Sequence, residues 1–257
     1  MAIALRKPDE LTKLALAGSI VGKTLKYLQE NVTVGMTLNE IDAMGEAFIR
    51  KHGAEPSFKG LYGFTGSVCT SLNEVCIHGV PSDQKVQEGD ILGLDLGTKI
   101  DGYFGDAAIT MPIGKISEKD EDLIACAKDS LYHGIENIRV GMRFKELSSL
   151  LERFILARGY VPLRDFCGHG IGKKPHEEPN IPNYVDGNPK QGPKIKNGMV
   201  FCLEPMVCQK SDEPKILEDK WSVISTDRLR SSHYEHTVAI VDGKAVILTD
   251  AEPTHNL

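Results

Sequence analysis

Apolar residues recur at helical spacing from Pro8 to Glu30, where Leu11, Leu14, Ala15, Gly18, Val21, Leu25 and Leu28 share one stripe. That spacing predicts an amphipathic helix packed by this face. After Val34-Gly35-Met36, a second helix is predicted over Thr37 to Lys51, opened by the capping pair Thr37 and Glu40 and closed at Gly53. The period then changes from helical to alternating. Across Asp90 to Met111, Leu92, Leu94 and Leu96 alternate with Gly93, Asp95 and Gly97, and Asp101-Gly102 supplies a two-residue turn. With those two residues at the centre of the turn, Ile100 pairs with Tyr103 and Asp95 lies opposite Ala108. Asp106 is then the diagonal neighbour of Asp95 on the same face, and the leucines take the other.

The same pattern returns later in the chain. Val140-Gly141-Met142 with Glu146 and Leu147 repeats Val34-Gly35-Met36 with Glu40 and Ile41, and predicts a helix over Phe144 to Arg158 closed at Gly159. Gly198 to Glu204 repeats Gly89 to Asp95, with Phe201 and Leu203 in place of Leu92 and Leu94. Glu235-His236-Thr237-Val238 repeats Asp106-Ala107-Ala108-Ile109. Between helix and strand pair each half carries a stretch rich in glycine and polar residues, which reads as a loop. The first runs from Ser67 to Gly79 and holds His78; the second, Phe166 to Pro179, holds His169 and His176. The unit is too long for a solenoid repeat. It predicts one domain over residues 1–257, built from related halves (about 8–112 and 118–249) around an approximate two-fold axis where the acid pairs meet.

A chain of 257 residues can bury a large core. Its net charge of −6 removes any general attraction to nucleic acid or anionic membrane. The N-terminal stretch has no long apolar run and acids appear by Asp9, against a membrane span or signal peptide. Six cysteines without a CxxC pair suit reduced thiols, which places the protein in the cytoplasm. Pro/Gly-rich Lys190 to Lys196 and the stretch Asp212 to Trp221 read as solvated excursions.

Bringing Asp95, Asp106, Glu204 and Glu235 together makes repulsion decide the chemistry. Two like charges about 4 Å apart cost roughly 4 kcal/mol at an effective dielectric of about 20. Either some acids protonate or cations enter, and two divalent ions would neutralise all four. His169, set between Gly168 and Gly170, is the candidate nitrogen ligand, and one imidazole among oxygens favours Mn, Fe, Co or Zn over Mg or Ca. Such a centre binds a carbonyl oxygen and generates hydroxide near neutral pH.

The ordered set Asp95, Asp106, His169, Glu204 and Glu235 resembles the ligand set of the methionine aminopeptidases. The settings agree: NEVCIHGVP around His78, GHGIG and HEEP around His169 and His176, FCLEPM around Glu204 and YEHT around Glu235. The resemblance covers almost the whole chain and is closest to the short bacterial type I form. It implies an α+β pita-bread fold, with a curved antiparallel sheet backed by helices. It also implies that Asp95 chelates one ion, Asp106 and Glu235 bridge two, and His169 and Glu204 complete the shell. In that family's terms Glu204 is the general base or proton shuttle, His78 and His176 contact substrate, and Phe64, Cys69 and Trp221 line the methionine pocket. Leu61 and Pro175 stand where relatives often carry aromatics. The implied activity removes the first methionine from nascent polypeptides with a small second residue, as in this chain's own Met1-Ala2, by a monomer in transient ribosome contact. Two rival readings use the same fold: a proline-specific aminopeptidase or prolidase, which usually carries a further N-terminal domain, and a binding protein that has lost ligands.

Overall fold

The computed structural model describes residues 3–251, so Met1 and Ala2 lie outside the described residues. The first helix, α1 (Pro8–Asn31), begins with proline in its first turn, and the Glu10 carboxylate accepts the Lys7 N–H at 3.1 Å. Leu11, Leu14, Val21, Leu25 and Leu28 of the stripe are buried, each worth about 1.5–3 kcal/mol of apolar transfer. In α2 (Leu38–Lys51) Thr37 is the N-cap: its Oγ1 accepts the Glu40 N–H at 3.1 Å, and Glu40 accepts the Thr37 N–H at 2.7 Å. The chain leaves this helix through Gly53 at φ +78°.

Short strands follow: β1 (Glu55–Pro56), β2 (Val68–Leu72) and β3 (Val75–Ile77), then the long pair β4 (Ile91–Ile100) and β5 (Tyr103–Pro112). The β4–β5 register matches the expectation: Ile100 faces Tyr103 and Asp95 faces Ala108. Asp101 and Gly102, at φ +50° and +78°, close the two-residue turn. The second half opens with α3 (Glu118–Glu136), capped by Ser117, and α4 (Phe144–Ala157). Its strands are β6 (Val161–Pro162), β7 (Cys167–Gly170), β8 (Glu177–Pro182), β9 (Val200–Leu203), β10 (Met206–Cys208) and β11 (Pro214–Ile216). The chain continues through β12 (Val223–Ser225), β13 (Ser231–His233), β14 (Glu235–Val241) and β15 (Lys244–Ile247).

One antiparallel sheet runs through both halves in the order β1-β4-β5-β14-β9-β7-β8, with β2 also on β4 and β15 on β14. Read outward from the β5–β14 seam, β5-β4-β2 on one side answers β14-β9-β7 on the other. This is the α+β pita-bread arrangement. Helices α1 and α2 cover the first half of the sheet, where Leu92, Leu94 and Leu96 pack with Leu28 and Ile41. In the second half Leu131, Leu147 and Leu151 pack on Phe201 and Leu203, and Phe144 meets Phe201 edge-on at 5.2 Å.

The two stretches read as loops contain strands, and His78 and His176 lie outside them. Residues 68–72 pair along β4, Val68 facing Leu96 and Leu72 facing Leu92, and Cys167 to His169 pair with β8. Their glycine and small polar content reflects close approach rather than exposure. A Cβ on Gly168 would lie 2.4 Å from the Cys202 carbonyl oxygen, and one on Gly93 would lie 3.1 Å from the Ser71 side chain. The Asp212 to Trp221 excursion is also partly ordered. Its strand β11 pairs with β12, and β12 with β3, while Ile216 at the tip is exposed.

Candidate metal centre

Strand register alone assembles the acids. Asp95 faces Ala108 across β4–β5, Ala108 faces Glu235 across β5–β14, and Leu203 faces His236 across β14–β9, which leaves Glu204 beside Glu235. Asp106 sits two residues from Ala108 and therefore on the same face. Thr237 secures the seam: its Oγ1 accepts the Asp106 N–H at 3.1 Å and donates to the Asp106 carbonyl oxygen at 2.7 Å. His169 enters from β7, with Nε2 3.6 Å from Glu204 Oε1 and 3.9 Å from Asp106 Oδ2. Its Nδ1 lies 3.0 Å from the Gly170 carbonyl oxygen and so donates there, which turns the Nε2 lone pair toward the acids.

Asp95, Asp106, Glu204, Glu235 and His169 all line a cavity of about 360 Å³, together with His78, His176, Phe64, Cys69 and Trp221. Phe64 and Trp221 meet edge-on at 5.2 Å and form an apolar wall with Cys69 and Phe58. Leu61 joins that wall, whereas Pro175 is not among the lining residues. The His176 ring stands 4.5 Å from the His169 ring and 6.1 Å from that of Tyr62.

Burial dominates the electrostatics. It pushes Asp95 up to about 7, and it raises Asp106, Glu204 and Glu235 well above the carboxylate range, where their mutual repulsion adds to it. Burial lowers His169 and His78 to about 4, and His176 is lowered by the same cause. Each shift favours the neutral form, because burial strips the charged form of its water. Asp95 Oδ1, Asp106 Oδ1 and Glu235 Oε1 are buried without a hydrogen-bond partner. Orphan carboxylate oxygens beside an imidazole lone pair suit a divalent cation. Among the described residues two donor groups lie within 4.8 Å: Asp106, His169, Cys202 and Glu235, and Glu204, His233 and Glu235. They share Glu235. Asp95 falls outside both groups, yet faces the same cavity from the row of acids.

Cys202 and His233 went unnoticed in the sequence. For His233 a signal existed, because it precedes Glu235 by two residues, the spacing that puts two side chains on one face of an extended chain. Tyr62 at the cavity rim, with φ +51° and an exposed ring, had no such signal.

Residues 12–242 match the family model of metallopeptidase family M24. Over 252 residues the chain is 62% identical to a methionine aminopeptidase of Helicobacter pylori, covering 97% of this chain and 100% of the relative. The crystal structure of methionine aminopeptidase from Thermotoga maritima superimposes with a TM-score of 0.94 at 33% identity, covering 97% of this chain and 100% of that one. A prolidase from Pyrococcus furiosus shares the fold at a TM-score of 0.78 and 25% identity, but the match spans 96% of this chain and only 66% of that one. The chain therefore belongs to metallopeptidase family M24 and, within it, to the methionine aminopeptidases.

Proposed function

We propose that this cavity removes the N-terminal methionine of nascent polypeptides whose second residue is small and uncharged. Asp95, Asp106, His169, Glu204 and Glu235 would hold two divalent cations for that reaction. The observation that carries this reading is the row of four carboxylates, three of them buried and each with a partnerless oxygen, faced by an imidazole lone pair. Asp106 and Glu235, next to the central seam, would be shared between the ions, while Asp95 would hold one and His169 with Glu204 the other. The donor set matches Co, Mn, Fe or Zn. When bound, such cations polarise a carbonyl and lower the pKa of water.

The remaining chemistry belongs to side chains. Glu204 would take the proton of the attacking water and pass it to the leaving amine. His78 and His176, held neutral by burial, can each hydrogen-bond the scissile amide from the cavity walls. Phe64, Cys69 and Trp221 offer the thioether side chain an apolar seat. Because each half contributes acids, residues 1–257 would act as one catalytic domain. Six free cysteines support a reducing, cytoplasmic setting. Among the described residues no helix is long and apolar enough to cross a membrane. A monomer meeting ribosomes transiently fits a substrate that is a nascent chain. The test is a metal-loaded assay on Met-Ala-Ser and on Xaa-Pro peptides. Methionine release from the first alone is expected. Xaa-Pro cleavage would move the chain to the prolidase reading, and no cleavage would support the binding-protein reading. Metal content of protein purified without added metal would identify the ions.

A further inference from the structure

His233 is a buried imidazole that the mechanism above leaves unused. Its side chain is 4% exposed, and Nε2 is buried with no hydrogen-bond partner. That nitrogen lies 3.7 Å from Glu204 Oε2 and 4.0 Å from Glu235 Oε2. Glu204 is thus flanked by two rings: His169 addresses Oε1 at 3.6 Å, and His233 addresses Oε2. The two rings differ in what they can offer. His169 spends Nδ1 on Gly170 and points a lone pair at the acids. His233 has no such commitment among the described hydrogen bonds, so its Nε2 is free to carry the proton. An N–H aimed at two carboxylates in a buried site is attracted, whereas a lone pair there, like that of His169, is favourable only with a cation between.

The backbone of His233 is clamped as well. Its N–H donates to Thr110 Oγ1 at 3.0 Å, and Thr110 Oγ1 donates to its carbonyl oxygen at 2.9 Å. Within β13 it pairs with Met206 of β10, two residues past Glu204. The ring therefore has a fixed seat behind Glu204, and His233 is not among the residues that line the cavity. Charge points the same way. Two divalent cations held by the five proposed ligands would balance four carboxylates, and a neutral donor at His233 would leave that balance unchanged.

We propose that His233 is a positioning residue for Glu204, its Nε2–H holding Oε2 so that Oε1 stays turned toward His169 and the substrate. A shift of about 0.7 Å brings the pair to ordinary hydrogen-bond length. This inference rests on the reading of Glu204 as the base. The decisive measurement on the unaltered protein is the ring-nitrogen NMR spectrum, recorded without metal and with zinc(II). His233 should keep its Nε2 proton in both, while the His169 Nε2 signal moves as a ligand does. A His233 Nε2 that carries no proton, or that shifts like a metal ligand, overturns the proposal. In parallel, His233→Leu should lower kcat on Met-Ala-Ser by roughly 10- to 100-fold, the usual cost of an outer hydrogen-bond partner. KM should stay within about twofold, since substrate contacts are untouched. His233→Gln restores a donor and should recover most of kcat, and zinc affinity by calorimetry should change less than kcat in both variants. A folded Leu variant with unaltered kcat, or a Gln variant no better than Leu, sinks the idea. If unaltered protein fails to release methionine, the functional reading falls, while the ring spectrum still decides the role of His233.

Discussion

The two halves present their acids on equivalent strand pairs but reach that state by different routes. In the first, β4 and β5 are joined by Asp101-Gly102, so a local turn sets the register. In the second, β9 and β14 are separated by the whole segment from Glu204 to Glu235, which contains β10 to β13. The flanking strands have also diverged. On β2 the residue facing Asp95 is Cys69, part of an apolar wall with Phe58 and Phe64. On β7, beside β9, stands His169. The first half supplies His78 and most of the apolar seat, Phe58, Phe64 and Cys69, whereas the second adds Trp221 to that seat and brings His169, His176 and His233. The repeated strand pairs bring the carboxylates together, while the side chains beside them differ between the halves.

The sharpest way to break that comparison is Glu204→Gln, which removes the proposed base and leaves the packing. Turnover of Met-Ala-Ser should fall by about 10²–10⁴-fold, in the range for general acid–base catalysis, with an unaltered circular dichroism spectrum. Full activity in this variant would remove the base assignment. Next in size is the contrast between His169→Ala and Cys69→Ala. Titration calorimetry should show metal affinity reduced by roughly tenfold or more in the first, each decade being about 1.4 kcal/mol. The second should bind metal normally and raise KM by a few-fold, as about 1 kcal/mol of apolar contact is lost. Equal loss of metal binding in both would end the division of labour.

A third test concerns the residues that precede the central acids, Gly105 before Asp106 and Tyr234 before Glu235. Helix α1 crosses at Gly105, where a Cβ would lie 2.7 Å from the Gly18 nitrogen and 2.9 Å from the Ala17 carbonyl carbon. Gly105→Ala should cost about 1–3 kcal/mol by overpacking, measured by urea unfolding. The smallest effect belongs to Glu46 of α2, whose carboxyl is held down to about 2 by Lys59, Ser67 and Arg50. Its stabilisation is complete above pH 4.5 and is lost as pH falls through about 2. Glu46→Gln should cost about 1 kcal/mol at pH 7, allowing for solvent screening, and flatten the pH dependence over that window. Its repeat mate Glu152 accepts one N–H, from Val185 at 3.3 Å. Glu152→Gln should stay within about 0.5 kcal/mol.

Sequence by itself determined the local elements and one register. The Leu11 to Leu28 stripe, the Thr37–Glu40 box and the Asp101-Gly102 turn each act through neighbours a few residues away, so period and capping chemistry suffice to read them. The repeat also revealed that four acids converge, because equivalent residues of duplicated halves occupy equivalent places. What only tertiary structure decided depends on partners far along the chain. Residues 68–72 became a strand because β4 pairs with them, although Thr70 and Ser71, with Ser67 and Asn73 on either side, read as a loop. His233 came to face Glu204 because β13 and β10 pair, and Cys202 came to face the seam through β14. Side chains at such distances meet only after sheet register is set. Burial then decides their charge, and neither burial nor the pairing of strands far apart in the chain is written in local spacing.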